Sequence, residues 1–207
     1  MKLPGRTIER LSEYRRTLFA CLGENKDFIY SHDLAARLHI KAVQVRRDLM
    51  LIGYSSVLRK GYNVRELINV ISEVIDPAEA VNVAVFGVGN LGRAVAGYFK
   101  GKRSKLNLAA SFDNDSQKIG KIISGIKCYP YSDAEKIINE LNIRIAILTV
   151  PPEFAKEVTE EIVRFGIKGI LNFTTISLNV PPGVHLEEYD MVTSIEKLVY
   201  YVKKNKE

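Results

Sequence analysis

Three glycines near the middle of the chain have the spacing of a turn that binds phosphate groups. They lie in VAVFGVGNLGRAVAGYF, residues 83–99, which has the pattern of a β-strand, a turn and an apolar helix. Gly87 allows a tight turn, Gly89 lets a pyrophosphate approach the backbone, and Gly92 lets helix and strand pack closely. The pyrophosphate would lie at the helix N-terminus, where free amides and the helix dipole favour anions. The predicted contacts are Gly87, Val88, Gly89, Asn90, Leu91 and Gly92.

Asp113 follows this turn at a distance typical of a dinucleotide site. It ends the next predicted strand, 21 residues beyond Gly92, where its carboxylate would accept hydrogen bonds from the adenosine ribose hydroxyls. Its charge would repel a 2′-phosphate, so the sequence favours NAD, as NADH and NAD⁺, over the phosphorylated cofactor. Lys118 and Lys121 are close enough in sequence to weaken that preference.

Two more candidate cofactor contacts come from the ends of later strands. Pro151 follows the fourth predicted strand, and Asn172 lies at the end of the fifth. Ligands bind at the carboxyl ends of the strands in parallel sheets, so both residues would face the cofactor.

The sequence offers no set of residues that would catalyse a reaction on this cofactor. Of the three histidines, His32 and His39 precede the glycine motif and His185 lies in a terminal loop. The residues after the fifth strand are too few for a substrate domain, and no metal-ligand cluster or catalytic cysteine context occurs. The sequence therefore predicts a cofactor site without a catalytic or metal site, in which the nucleotide would act as a signal.

The elements around the glycine motif predict an α/β fold. From Val81 onward, short β-branched runs alternate with helices, which is typical of a Rossmann-like, doubly wound parallel sheet. VHLEEY, residues 184–189, is a candidate last strand, and Pro151-Pro152 is expected to open a helix. Within the terminal helix, MVTSIEKLVYYVKK, the run Leu198–Val202 is apolar nearly all round, so we expect a partner to bury this helix in a homodimer.

The net positive charge of the chain comes entirely from its first part. Residues 1–62 hold twelve Lys and Arg against six Asp and Glu, a net charge of +6, whereas residues 63–207 hold eighteen of each. A basic segment joined to a neutral one favours a polyanionic partner for the first part. On charge alone, a solvated basic face is the alternative.

The basic segment has the element order of a winged helix-turn-helix domain. Apolar spacing predicts helices over 6–23, 31–38 and 42–52, with Ser31 capping the second, and a basic hairpin follows. The third helix would enter the major groove of double-stranded DNA, and the hairpin, or wing, would reach phosphates or the minor groove. A three-helix bundle with a polar face is the alternative. The predicted DNA contacts are Gln44, Arg46 and Arg47 of the third helix and Arg59 and Lys60 of the wing.

The predicted elements divide the chain into three parts. Asp76-Pro77 ends a predicted helix, so a winged-helix DNA-binding domain is expected at 1–76. A Rossmann-like NAD(H)-binding domain is expected at 77–188, and a dimerisation helix at 189–207. The N-terminus lacks a signal-peptide core, and no apolar run approaches the roughly eighteen residues of a membrane span, so a cytoplasmic location is expected. Cys21 and Cys128 are expected to be buried core residues.

Taken together, these segments resemble the bacterial Rex family of redox-sensing transcriptional repressors. The matching motifs are, in order, VQVRRDL, GYNV, VFGVGNLGRAVAGYF, FDND, LTVP and GIKGILNF. The resemblance implies a cytoplasmic homodimer that exchanges its C-terminal helix, binds palindromic operators and is released by NADH. It therefore implies a regulator that is not an enzyme.

The resemblance also assigns roles to single residues. Arg46 and Arg47 match the basic pair that reads the groove, although many relatives have lysine at the second position, and the wing departs from the glycine pattern of some relatives. Tyr98 matches an aromatic residue near the nicotinamide, and Asp190 and Arg16 match the family's switch. An Asp190–Arg16 ion pair could hold the DNA-binding domain in one orientation, and Tyr98 could compete for the carboxylate. On their own, these residues would be a packed tyrosine and two solvated charges.

Two other functions are compatible with the same residues. One is a small NAD-dependent oxidoreductase that carries a DNA-binding extension. The other is a CoA-binding-type sensor, because a related glycine turn also binds CoA.

Overall fold

The chain divides into two compact units, Met1–Ala78 and Glu79–Glu207. The structure, a computed structural model, describes residues 3–55, 60–99 and 105–204. Each unit has its own hydrophobic core. The division falls two residues after Asp76, where the sequence predicts the end of the first domain.

The N-terminal unit is helical with one small sheet. Buried leucines and isoleucines at helical spacing, such as Leu11, Leu18, Leu49 and Ile71, form its core. A two-stranded antiparallel sheet contributes Ile29 and Tyr62 to this core. Its elements are α1 (Gly5–Gly23), β1 (Phe28–Ile29), α2 (Ser31–Arg37), α3 (Ala42–Leu51), β2 (Tyr62–Asn63) and α4 (Val64–Ile75).

Local sequence signals explain where these helices begin and end. Asn63 caps α4, because its side chain accepts a hydrogen bond of 3.0 Å from the amide of Glu66. Gly53, with φ of +74°, follows the end of α3, as expected of a helix C-terminal glycine. The prediction that Ser31 caps α2 is wrong. Ser31 is the first helical residue and Tyr30 is the cap, because the chain is still extended at Tyr30.

The predicted wing is described only in part. Arg59 lies outside the described residues, and Lys60 is exposed in a turn. Gly61 follows with φ of +90°, and a side chain there would come within 2.7 Å of the carbonyl oxygen of Ile29. That close approach brings β2 beside β1, with Ile29 opposite Tyr62.

The C-terminal unit contains one twisted seven-stranded sheet in the order β5-β6-β4-β3-β7-β8-β9. Every pairing is parallel except β5 with β6. The predicted doubly wound parallel sheet is therefore confirmed, including the candidate last strand, whereas the short β5 was not predicted. The strands are β3 (Val81–Phe86), β4 (Leu106–Asp113), β5 (Ile122–Ile123), β6 (Ile126–Pro130), β7 (Ile143–Leu148), β8 (Gly169–Asn172) and β9 (His185–Glu188).

Helices cover both faces of this sheet because β3 is apolar on both sides. Ala84 and Phe86 pack in one cluster, and Val83 and Val85 pack in another. Alternate residues of a strand face opposite ways, so α6 and α7 belong to the first face and α5 to the second. The helices are α5 (Asn90–Phe99), α6 (Ala134–Glu140), α7 (Ala155–Arg164) and α8 (Met191–Lys204).

Two sequence predictions about this unit have different outcomes. Pro151-Pro152 does not open the helix directly, because Pro152–Phe154 forms a 3₁₀ turn before α7 begins at Ala155. Cys21 in the first unit and Cys128 here are both buried, as predicted.

The last helix, α8, is exposed along its length. None of its residues is buried in the single chain. Eight large apolar side chains of α8 have 47–63% of their surface exposed, namely Met191, Val192, Ile195, Leu198, Val199, Tyr200, Tyr201 and Val202. Among the described residues, no helix is both long enough and apolar enough to cross a membrane.

Candidate functional site

A cleft of about 730 Å³ opens where the strand order reverses. β3 pairs with β4 on one side and β7 on the other, and Phe86 lies opposite Leu148 at their carboxyl ends. The chain then turns towards α5 after β3 and towards α7 after β7, on opposite faces of the sheet. In doubly wound sheets, such a switch point is where ligands bind.

Two of the three glycines are required by close backbone contacts at this point. Gly87 has φ of +90°, and a side chain there would come within 2.7 Å of the carbonyl oxygen of Thr149. At Gly92, a side chain would overlap the carbonyl oxygen of Gly87. The Thr149 hydroxyl lies 2.7 Å from that same oxygen. The turn after β3 is therefore held tightly between α5 and the loop after β7.

The second glycine is in a different situation. A side chain at Gly89 would meet no atom within 4 Å, and Gly89 lines the cleft together with Asn90 and Leu91. The start of α5 therefore presents backbone to open space. Free amides at a helix N-terminus attract anions, so this position suits a phosphate group.

Asp113 fastens the glycine turn to the end of β4. One carboxylate oxygen, Oδ2, accepts hydrogen bonds from the Val88 amide at 2.8 Å and from Lys118 Nζ at 3.0 Å. The other, Oδ1, accepts from the Asp115 amide at 2.9 Å. Burial acts to raise the pKa of Asp113, but these hydrogen bonds outweigh it and hold the pKa below its ordinary value. The carboxylate is therefore ionised at neutral pH, and the Val88 amide is directed to it.

Lys118 lines the cleft between two carboxylates. Its Nζ lies 3.0 Å from Asp113 Oδ2 and 3.5 Å from Asp115 Oδ2. One positive charge thus faces two negative charges, so this end of the cleft keeps a net negative charge. Lys121 is exposed and is not among the residues that line the cleft.

Part of the lining of the cleft is aromatic, and the sequence motifs did not indicate this aromatic wall. The rings of Phe86 and Phe112 stack with centroids 4.8 Å apart, and Tyr131 meets Phe86 edge-on. The Tyr131 hydroxyl donates to Glu161 Oε2 at 2.6 Å, and burial raises the pKa of Tyr131, so the hydroxyl stays protonated. A signal was available, because Tyr131 follows the carboxyl end of β6 just as Pro151 follows that of β7.

The other predicted cofactor contacts fall into two groups. Pro151 lines the cleft. Asn172 does not, because its buried side chain braces the following loop by accepting from the Thr174 amide at 2.9 Å and donating to the Ile176 carbonyl at 2.8 Å. Tyr98 also lies outside the cleft of its own chain, on α5, with 63% of its surface exposed.

The predicted DNA contacts on α3 differ in exposure. Arg46 and Arg47 are both exposed, and Arg46 Nη1 donates to Ser31 Oγ at 3.1 Å. Gln44 is half-buried, and its Nε2 donates to Asp48 Oδ1 at 2.9 Å. Asp48 is fully buried and was not singled out from the sequence, although a charged residue next to the apolar stripe of α3 was a signal.

The two charged residues predicted for the switch lie in different units. Arg16 is exposed on α1 of the first unit. Asp190 precedes α8 in the second unit and accepts hydrogen bonds from the amides of Val192 at 2.8 Å and Thr193 at 3.2 Å. Hydrogen bonds from Thr193 lower the pKa of Asp190. Asp190 is thus the N-cap of α8, a role that was not predicted from the sequence.

Comparison with known proteins identifies the family. A family described as "Putative DNA-binding protein N-terminus" matches residues 2–49, and one described as "CoA binding domain" matches residues 78–176. The redox-sensing transcriptional repressor Rex of Lactobacillus acidophilus is 34% identical over 100% of this chain and 98% of its own. The Rex of Leuconostoc citreum is 35% identical over 97% of this chain and 93% of its own.

This chain belongs to the Rex family. The resemblance drawn from the sequence motifs is therefore confirmed. Two solved structures of the Rex-family repressor RSP are also similar. RSP in complex with NAD⁺ and operator DNA has a TM-score of 0.92 and 31% identity, and covers 100% of this chain and 95% of that one. RSP in complex with NADH has a TM-score of 0.87 and 30% identity, covering 100% and 97%.

The contacts at Gly92 lead to a prediction with an internal control. Gly92→Ala should destabilise the C-terminal unit by about 1–3 kcal/mol, because backbone has to move to admit the methyl group. Gly97→Ala, in the same helix but with nothing within 4 Å, should be neutral or stabilising by up to about 1 kcal/mol. Thermal unfolding of the two variants tests the difference. Equal stability would show that the turn is not tightly held.

Proposed function

We propose that this protein is a homodimeric transcriptional repressor that binds operator DNA and loses it when NADH occupies the cleft. The observation that supports this most is the full-length similarity to RSP, whose complexes contain NAD⁺ with operator DNA, or NADH. The cleft, with its glycine turn and acidic strand end, is the matching feature of this chain. A location in the cytoplasm is part of the same proposal.

The residues of the cleft fit a dinucleotide. The open backbone at Gly89, Asn90 and Leu91 would hold the pyrophosphate. Asp113 has one remaining acceptor position, on Oδ1, for a ribose hydroxyl, since an ionised carboxylate has about four such positions. Gly87, Val88 and Gly92 would act by shaping the turn, and the aromatic wall and Pro151 would contact the adenosine.

The N-terminal unit supplies the DNA-binding surface in this proposal. Arg46 and Arg47 would contact the major groove from α3, and Gln44 would accompany them. Lys60 would contact phosphates, and Arg59 belongs to the same proposed surface. The net charge of +6 over residues 1–62 supports an anionic partner for this unit.

The C-terminal helix supplies the dimer interface in this proposal. The exposed apolar length of α8 requires a partner, and a second copy of α8 has the same apolar character. We accordingly assign residues 1–76 to DNA binding, 77–188 to NAD(H) binding and 189–207 to dimerisation. A two-fold dimer would place two copies of α3 at the spacing of a palindromic operator.

The response to reduction has to depend on the nicotinamide, since a ligand shifts an equilibrium only through different affinities for the two states. Gly89 and Asp113 would contact parts that NADH and NAD⁺ share. Tyr98 lies outside its own cleft, so we propose that it acts at the cofactor of the other subunit. There it would compete with Arg16 for the carboxylate of Asp190.

A single experiment separates this function from the alternatives. The protein is mixed with DNA from upstream of its own gene, and binding is followed on adding NADH, NAD⁺ or CoA, together with NADH absorbance. We expect NADH alone to release the protein from DNA. The absorbance of NADH should change no more than its binding to the protein accounts for. Loss of absorbance would indicate an oxidoreductase. A response to CoA alone would indicate a CoA sensor, a function favoured by the match of residues 78–176.

The charge at the end of β4 predicts the cofactor preference. Asp113→Asn keeps the size of the side chain but removes its charge. The preference for NADH over NADPH should then fall at least about fivefold, because like charges 4 Å apart repel by about 1 kcal/mol even in water. Lys118→Met should shift the preference the other way. Titration of both cofactors measures the ratio. Equal binding of NADH and NADPH by the unmodified protein would contradict the role of Asp113.

The proposed switch requires the hydroxyl group of Tyr98. Tyr98→Phe keeps the ring and removes the hydroxyl, so NADH and operator binding should be retained. Half-release from the operator should need about tenfold more NADH, because a hydrogen bond to a charged group contributes about 1.5–3 kcal/mol. Titrating NADH into the operator complex tests this. Release at an unchanged NADH concentration would eliminate Tyr98 from the switch.

A further inference from the structure

A fully buried carboxylate lies on α3, the helix that carries the proposed DNA contacts. Asp48 Oδ2 accepts from Arg10 Nε at 2.6 Å and from the Tyr14 hydroxyl at 2.7 Å. Asp48 Oδ1 accepts from Arg10 Nη2 at 2.8 Å and from Gln44 Nε2 at 2.9 Å. Four donors therefore meet one side chain that has no exposed surface.

All four hydrogen bonds require the carboxylate to be ionised, because it serves only as an acceptor. Burial acts to raise the pKa of Asp48, but the hydrogen bonds from Arg10, Tyr14 and Gln44 lower it below its ordinary value. About four lone-pair positions exist on a carboxylate, so the acceptor capacity of Asp48 is filled. Arg10 and Tyr14 both come from α1, and the network thus fixes α3 against α1.

The same chemistry fixes the orientation of the Gln44 amide. Gln44 and Asp48 are one helical turn apart, so their side chains are neighbours. If the amide were flipped, its carbonyl oxygen would meet a carboxylate oxygen, which is repulsive. The NH₂ group must therefore face Asp48. One N–H is used there, and among the described residues the carbonyl oxygen and the second N–H of Gln44 have no hydrogen-bond partner.

We propose that Asp48 is a positioning residue for base recognition, which holds the Gln44 amide so that it presents one acceptor and one donor to the major groove. The complementary base is adenine, whose N6 donates and whose N7 accepts at that edge. This inference rests on the proposed operator binding. It assigns to Gln44 a specific class of contact and to Asp48 the reason that the contact has one orientation.

The test is a double-mutant cycle on operator affinity. Asp48→Asn and Gln44→Ala should each weaken operator binding about tenfold, the size of a lost bidentate base contact. The operator affinity of the double variant should equal that of the single variant that binds less tightly, because Asp48 acts through Gln44. Tyr14→Phe removes a different hydrogen bond to the same carboxylate. It should lower thermal stability and leave operator affinity within about twofold.

A second readout distinguishes positioning from a structural role. Replacing each operator adenine by 7-deazaadenine removes the N7 acceptor. The unmodified protein should lose affinity at one adenine in each half-site, and both Asp48→Asn and Gln44→Ala should be insensitive there. Three results would each overturn the proposal. The losses of affinity could be additive in the double-mutant cycle, or Asp48→Asn could bind the operator with unchanged affinity. Alternatively, Asp48→Asn could still lose affinity when 7-deazaadenine replaces adenine.

The contact can also be observed without any variant that has to fold. In ¹⁵N-labelled unmodified protein, we expect one proton of the Gln44 side-chain amide to be protected from exchange with water. Two rapidly exchanging protons would overturn the proposal. This measurement uses no DNA, so its result is independent of operator binding. Failure of the unmodified protein to bind DNA would instead contradict the proposed function.

Discussion

The contact between the turn after β3 and the loop after β7 is the constraint on which the C-terminal unit depends. The carbonyl oxygen of Gly87 meets Gly92 on one side and the Thr149 hydroxyl on the other. Because a methyl group at Gly87 or at Gly92 would collide with these atoms or with the Thr149 backbone, the direction of α5 and the position of the loop are set together. The glycine turn and the loop after β7, which line the cleft, therefore have their positions set before a ligand binds. Such preorganisation lowers the entropic cost of binding.

A buried carboxylate has the corresponding role in the N-terminal unit. Asp48 joins α3 to α1 by charged hydrogen bonds rather than by apolar packing alone. Apolar contacts tolerate small shifts of one helix against another, whereas hydrogen bonds lose strength steeply with distance and angle. Both units thus use a few short polar contacts to fix the surface that is proposed to bind a ligand, and use aliphatic side chains for the remaining stability.

The sequence predicted best where the chemistry is local. The glycine turn, the alternating strands and the acidic end of β4 were all read from short segments. The aromatic wall was not, because Tyr131 and Phe86 are distant in sequence and meet only through the strand order. Helical projection placed Gln44 on the exposed face, yet Gln44 is half-buried and its amide nitrogen donates a hydrogen bond to the buried Asp48. Such a buried charge contradicts the assumption that polar residues face water, and its hydrogen bonds from Arg10 and Tyr14 of α1 and from Gln44 explain it.

The two outer strands of the large sheet are short and poorly suited to further pairing. β5 has two residues and runs antiparallel to β6, and β9 has four, of which two are glutamates. Short and charged edge strands discourage the addition of strands from other molecules. The sheet is thereby protected from open-ended aggregation. The chain can expose the apolar surface of α8 for pairing with a second copy while its sheet edges resist growth into fibres.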